Sequence, residues 1–432
     1  IFTLNINVLA KRGTVFVNYT SGSDSNDGAG WSSAVKTISH ALDIVGDDNP
    51  IYVANGVNYL DDNDVNGLFI AKNISIIGVG DNVIIDAKNL GRIFYVDGFT
   101  LSLYNLILAN ANVSNANDQR GGAIWANNSV LDIDNCKFIN NTAGNSNSYG
   151  GAINLKYSMA NIRQSSFDNN AAWYAGGAIN AENTNVLLNI SHSEFANNKI
   201  LNNGWSTGAA ICSYNTVNIY NSIFYNNTLT DKTRKGKSVN QYKDGSLTIK
   251  NSALLDGDSS VQVANVSTAH LEDNWWGNNN QNKDSSPAIT YTNGNVNSYL
   301  ILETSINQKI VHIGDLVTVA TSLNHNQNGE VVSYSLDLPI VVDVILGTVV
   351  PNATTINGEL SSIYNATRLG DEVITVDVLG IDNTISFFVK NAMPKITIDD
   401  VITPWSLGVY PGVINYFDIK LINNEDVSID NV

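Results

Sequence analysis

The chain has 432 residues, 43% apolar and 15% charged, and 23 Lys and Arg against 40 Asp and Glu leave a net charge of −17. That length suits two to four domains at ~100–200 residues each, and the apolar share is enough to fold, which excludes a disordered polymer. Nucleic acid is excluded as a partner because no basic face could release phosphate counterions, and no run of 18 apolar residues offers a membrane span.

Asparagine is the outlier, at about 65 residues, a share that argues against a heat-adapted intracellular enzyme. The longest basic cluster, Lys232, Arg234, Lys235 and Lys237, reads as a solvated loop. Two cysteines, Cys136 and Cys212, are too few for a disulfide scaffold. The chain starts at Ile1 without Met or a basic-then-apolar leader and ends mid-pattern at Val432, so it reads as a piece of something longer.

In chain order, IFTLNINVLA sets Phe2, Leu4, Ile6, Val8 and Ala10 against polar neighbours, the alternation of a strand. Its partner is not identifiable. Residues 21–45, SGSDSNDGAGWSSAVKTISHALDIV, combine a Gly/Asp/Ser loop with Val35, Ile38, Leu42 and Val45 at helical spacing. A helix there, within an N-terminal strand and cap over residues 1–50, would plug the open end of a stack of strands. The segments PIYVANGVNY, LFIAKNISIIGVGDNVIIDAKN and RIFYVDGFTLSLYNLILANANV then carry strand alternation ending in turn residues.

Next comes a repeat. Four units align from Gly121, Gly150, Gly176 and Thr207, with Phe138, Phe167, Phe195 and Phe224 every 28 or 29 residues. An Asn pair follows each Phe: Asn140/Asn141, Asn169/Asn170, Asn197/Asn198 and Asn226/Asn227. Leu131 and Ile133, or Val217 and Ile219, alternate with polar residues, the period of a half-buried strand. Short strands joined by Gly and Asn turns cannot bury an apolar face alone, so the units must stack. The expected fold is all-β, a parallel β-helix over residues 51–298, with identical residues in ladders at ~4.8 Å. Phe should stack on Phe inside, and amide on amide at the turns, with Asn140, Asn169, Asn197 and Asn226 in the ladder. GSLTIKNSALLDG and AHLEDNWWGNNN continue the stack.

GSDSNDG followed by KTISHAL, the phrase IYVANGVNY, the GGAI…F…NN units and the terminal NWWG together resemble the right-handed parallel β-helix proteins of the pectate-lyase-like superfamily. Within it, the chain is most similar to the large adhesin-like surface proteins of methanogenic archaea. The resemblance spans about residues 14–298. It implies a secreted, extracellular cell-surface role without known chemistry, and β-helices followed by immunoglobulin-like (Ig-like) domains.

After NWWG the pattern changes. Residues 299–391 show short alternating strands with Asn/Gly turns at 8 to 12 residue spacing, the signature of an Ig-like β-sandwich. Residues 392–432 read as the start of a further β-sandwich domain, too short to bury its own core. An orphan strand at one end and an incomplete sandwich at the other could complete each other between subunits.

Chemistry is sparse. The regular coils hold only Asp132, Asp134, Asp168, Glu182 and Glu194, and Arg120 and Arg163 are isolated, so the carboxylate cluster of a polysaccharide hydrolase or lyase is missing. No catalytic, cofactor or metal residue is assigned; His40, His192, His270, His312 and His325 lack ligand spacing. Structural Ca²⁺ is the one open cofactor, at Asp24, Asn26 and Asp27 or at Asp61, Asp62, Asn63 and Asp64. Candidate glycosylation sequons stand at Asn18, Asn73, Asn112, Asn127, Asn189, Asn265, Asn352 and Asn365. Two more, Asn140 and Asn226, fall in the expected ladder and should be the poorest acceptors. The total is what composition gives by chance. Trp125, Trp173, Tyr174 and Trp205, with Tyr214, cluster near the Gly turns and form a candidate glycan platform.

The reading is a non-catalytic adhesin-like or spacer protein that attaches to other surface proteins, glycans or itself. One alternative is the protomer of a filament or sheath built by strand complementation. The other is a polysaccharide-acting β-helix enzyme.

Overall fold

The computed structural model describes residues 11–61, 66–116, 118–182, 185–204, 207–242, 245–257, 260–263, 268–277, 279, 289–291, 296, 298–333, 336–349, 352–355, 357–391, 396–398 and 421–423. The chain divides into two compact units, residues 1–301 with 323–336, and residues 302–322 with 337–432. The strand expected over residues 1–10 lies outside the described residues.

The first unit is a parallel β-helix. Each regular coil runs through three strands, as in Ile124–Asn127, Val130–Asp134 and Lys137–Ile139, and then the two-residue strand Thr142–Ala143. Every one pairs in parallel with its counterpart a coil away. Stacked strands form a nine-stranded sheet, a sixteen-stranded sheet and a four-stranded sheet. The sixteen-stranded sheet covers two faces because the 13-residue strand Ile74–Asp86 pairs with Thr100–Tyr104 along its first part and Ile107–Ala109 along its last.

Alternation decides what is inside. Leu131 and Ile133 lie in register with Ala160 and Ile162, then Leu188 and Ile190, then Val217 and Ile219, all buried. Phe138, Phe167, Phe195 and Phe224 form the expected column, with ring centroids 4.7, 4.7 and 4.8 Å apart and planes within 4° of parallel. Such spacing is what the strand separation imposes on identical side chains. Burying each ring stabilises the coil by about 1.5–3 kcal/mol.

Corners are made by residues in the left-handed region, which asparagine tolerates better than most. Asn128, Asn135 and Asn140 have φ of 47°, 50° and 57° in one coil. The Gly pairs make the remaining corner: Gly150 has φ 66°, and a Cβ on Gly151 would lie 2.0 Å from the carbonyl oxygen of Gly177 in the next coil. One glycine supplies the turn and the other lets the coils close.

The ladder asparagines are the second of each pair, which corrects the expectation. Asn140, Asn169, Asn197 and Asn226 are exposed corner residues with φ of 57°, 52°, 56° and 56°. Asn141, Asn170, Asn198 and Asn227 are buried, and each Nδ2 donates to the Oδ1 of the next at 3.0 Å. The same Oδ1 atoms accept the backbone N–H of the preceding rung at 3.0–3.1 Å. Asp256 ends the column, accepting from Asn227 N, Asn227 Nδ2 and Ser238 Oγ at 2.7, 3.0 and 2.6 Å. A parallel column of serines, Ser165, Ser193, Ser222 and Ser252, does the same work at another corner and starts from Cys136, whose N–H donates to Ser165 Oγ.

At the N-terminal end a helix does form, but only over Ile38–Ile44, with Thr37 as its cap accepting from His40 N. Ile38, Ala41, Leu42 and Ile44 are its buried face. Strand pairing begins before the helix, with Val15–Val17 parallel to Ile51–Val53. Trp275 and Trp276 of NWWG are both buried.

The second unit is a separate β-sheet region, in which Leu316–Ser322 pairs antiparallel with Glu359–Asn365, and Gly370–Val378 with Ile381–Lys390. Of residues 392–432 only Ile396–Ile398 and Leu421–Asn423 are described, as an antiparallel pair.

Candidate binding face

Leu68–Ile70, Phe94–Asp97 and Ile124–Asn127 are successive strands at one end of the nine-stranded sheet. Their alternation sends Leu68, Phe94 and Ile124 inward and puts Phe69, Tyr95 and Trp125 in register on the outer face. The rings stack along the coils, Phe69 on Tyr95 at 5.5 Å and Tyr95 on Trp125 at 4.6 Å. Further along, the outer position passes to Asn154, Asn180, Cys212 and Asn240, all buried.

Two arginines hold this end together. Arg92 is buried and donates to four backbone carbonyls, of Gly121, Asn66, Asp118 and Arg120. It fixes the loop that carries Arg120, and burial pushes its pKa down to about 10. Arg120 makes a bidentate pair with Asp118, both bonds 2.8 Å, and reaches Glu182 Oε1 at 3.0 Å. Hydrogen bonds to Asp118, and then the Glu182 charge, hold its guanidinium above the ordinary arginine range despite partial burial. Asn154 Nδ2 donates to the same Glu182 oxygen at 3.2 Å, and Asn180 Nδ2 to Asn154 Oδ1 at 2.8 Å. The side chains of Asp118, Arg120 and Glu182 are 31%, 28% and 17% exposed. Hydroxyl-bearing ligands can reach donors and acceptors there without displacing a buried charge.

Arg120 is therefore not isolated, and two carboxylates do meet on the sheet. Glu182 lies 62 residues from Arg120, a separation that no local pattern reports. Arg163 is not isolated either: it faces Asp134 at 3.5 Å. Asp132 starts an outward amide ladder on the neighbouring sheet, through Asn161, Asn189 and Asn218 at 2.8–2.9 Å.

The aromatic platform is only partly as expected. Trp125 is half-buried between its neighbours, with Tyr95 against it and the Arg120 guanidinium 5.0 Å from its ring centre. Rings in register spend their faces on one another, so Trp125 and Tyr95 offer edges rather than the open faces that sugar stacking uses. Phe69, the end ring, is 54% exposed. Tyr174 stacks on Tyr149 at 5.9 Å, and Trp173 is half-buried. Trp205 lies outside the described residues.

The thiols are in different columns, both free and buried. Burial pushes Cys136 up to about 12 and Cys212 up to about 11, which keeps both protonated and unreactive. In the cap loop, Asp24 accepts from Lys36 N, Thr37 N and Thr37 Oγ1, Asn26 donates to Ala34 O, and Asp27 pairs with Arg12. Those groups shape the loop. Asp62, Asn63 and Asp64 lie outside the described residues, among which no three His, Cys, Asp or Glu side chains gather as a metal site.

Sequon asparagines differ in what their amides do. Asn127 Nδ2 donates to Asp97 and Asn189 Nδ2 to Asn161. Asn18, Asn73 and Asn112 accept backbone N–H groups through Oδ1. Asn365 pairs through its backbone with Thr348. Asn265 and the side chain of Asn352 lie outside the described residues.

No family model matches the chain. No curated protein matches it. Among solved structures, it is similar to the pectate lyase Pel9A at 12% identity, over 67% of this chain and 80% of that one, with a TM-score of 0.35. A rhamnogalacturonan lyase gives 12% identity, 66% and 87% coverage and a TM-score of 0.34. The tailspike protein of E. coli bacteriophage HK620, in complex with a pentasaccharide, gives 12%, 79%, 78% and 0.16. The parallel β-helix itself is assigned from the strand register above.

Proposed function

We propose that the chain is a non-catalytic attachment module of a cell surface, which binds a neutral, hydroxyl-rich partner, a glycan or a glycosylated protein, through the Asp118–Arg120–Glu182 end of the nine-stranded sheet. The carrying observation is that set of partly buried, mutually paired charges beside the Phe69–Tyr95–Trp125 stack. Two carboxylates around one guanidinium offer donors and acceptors at a small net negative charge, which suits hydroxyls better than an anionic sugar. Arg120 is tied to two carboxylates and cannot serve as a base, and Glu182 is tied to Arg120 and Asn154. The second unit supports the reading as an Ig-like spacer.

The test is a glycan array followed by calorimetry with the wild-type chain and the R120A and E182Q variants. Binding lost in both variants, with unchanged circular dichroism, supports the reading; equal binding by all three removes the site. A second reading, a polysaccharide-acting enzyme, draws on the meeting of Asp118 and Glu182 at Arg120. Release of reducing ends or unsaturated uronate from any polysaccharide in the same panel, abolished by E182Q, would put it first.

A further inference from the structure

The exposed corner asparagines of the repeat have a chemical consequence beyond binding. Asn140, Asn169, Asn197 and Asn226 occupy the same place in four successive coils, on one edge of the β-helix. Their positive φ turns the side chain out of the coil, and all four are exposed. The residues two further on are in register in the four-stranded sheet: Thr142 with Ala171, Ala171 with Lys199, Lys199 with Thr228. Only the first and last are threonine. Among the four corners, therefore, Asn140 and Asn226 alone complete the acceptor pattern Asn-x-Thr.

Their amides are also available. Asn140 accepts from Asn169 through Oδ1 at 2.6 Å, among the described residues neither its Nδ2 nor the exposed Asn226 side chain has a hydrogen-bond partner, and the buried ladder is carried one residue on, by Asn141 and Asn227. A substituent on Nδ2 of Asn140 or Asn226 would thus cost no ladder bond. At Asn189 and Asn127 the opposite holds: Nδ2 is itself engaged as a donor, to Asn161 Oδ1 at 2.9 Å and to Asp97 Oδ1 at 2.8 Å, so the amide would have to leave a bond between coils to enter the transferring enzyme's site.

We infer that Asn140 and Asn226 carry N-linked glycans and that Asn127 and Asn189 do not. The inference rests on the reading of the chain as an exported surface protein. In the transfer, Nδ2 forms a bond to C1 of the sugar of a glycosyl diphosphate donor and the bond from C1 to phosphate oxygen breaks. The diphosphate leaves with that electron pair, and the amide gives up one of its two protons. Three coil steps separate the two sites, about 14 Å at the strand spacing, so both glycans stand on one edge.

The experiment is intact-glycopeptide mass spectrometry on the protein isolated from its own cells, with surface and cytoplasmic fractions analysed separately, plus the variants T142V and T142S. Expected are glycans at Asn140 and Asn226, unmodified Asn127 and Asn189, loss of the Asn140 glycan in T142V and its retention in T142S. Surface protein with Asn140 and Asn226 bare, or with Asn189 or Asn127 occupied, overturns the inference while the surface reading stands. Protein found only in the cytoplasm overturns both.

Discussion

The regular coils and the second unit both bury polar groups, and they satisfy them in opposite ways. In the coils the burden is spread: each of Asn141, Asn170, Asn198 and Asn227 meets the next, and every rung repeats the same few bonds. In the second unit most of the donors converge on one residue. Glu372 is fully buried and accepts from the backbone N–H groups of Ile345, Leu346, Gly347 and Val373 and from Tyr364 Oη at 2.5 Å. A repeat can use a neutral amide because each amide both donates and accepts, so it is its own partner one coil away. A fold without repetition has no such partner and gathers several donors around a carboxylate, which only accepts. Burial and the Glu372 carboxylate push Tyr364 above the ordinary tyrosine range, which keeps it a donor.

Substitutions separate the two designs. Phe167→Ala removes a ring stacked on both sides and should cost the first unit about 3–5 kcal/mol, read as a lowered urea midpoint. An unchanged midpoint would mean that the stack is not in the core. Glu372→Gln replaces one acceptor oxygen by a donor facing backbone N–H groups, and ~3 kcal/mol should be lost. That loss belongs in the second unit's transition alone, as hydrogen exchange resolved by peptide would show. Asn170→Ala takes away the acceptor of the Asn141 backbone N–H and the donor to the Phe138 carbonyl, for about 2–3 kcal/mol. The neighbouring Asn169→Gly, at an exposed corner with φ 52°, should change the midpoint by less than ~0.5 kcal/mol. Equal effects at 169 and 170 would erase the distinction between corner and ladder.

Asp256 is where the repeat's own logic stops, since a carboxylate replaces the amide. Burial raises its pKa to about 6, above the model-peptide value of 3.8. In the folded chain it binds a proton that the unfolded chain releases between pH 3.8 and 6, so folding is favoured at the acidic end and this contribution is lost as pH rises through 6. The loss should amount to roughly 1–3 kcal/mol. Asp256→Asn continues the ladder with a neutral side chain, and its urea midpoint should exceed that of the wild type at pH 8 and match it near pH 4. A wild-type midpoint that rises between pH 4 and 7 in step with the variant would refute the assignment.

Much of the fold could be read from the chain. The interval between Phe138, Phe167, Phe195 and Phe224 is the coil length, and once coils stack in register that interval dictates ring on ring. Inward positions such as Leu131 and Ile133 followed from alternation within one strand. Less could be read at the corners. A residue with positive φ interrupts the two-residue period, so inside and outside cannot be counted across it, and that is why the asparagine of each pair that faces inward is the second and not the first.

The candidate face shows the same boundary. Trp125 was legible as an aromatic near a Gly turn, but its surroundings were not: Tyr95 comes by register from the coil before, and Arg120, though near in sequence, is set by a loop that Arg92 pins to four carbonyls. Period and alternation are local quantities, carried by spacing along the chain, and from them the sequence by itself determined a stacked parallel fold, its core column and its asparagine-rich turns. That Glu182 meets Arg120, which ring faces stay open and which amides are left without a bond between coils depend on groups brought together from different coils, and only the tertiary structure decided those.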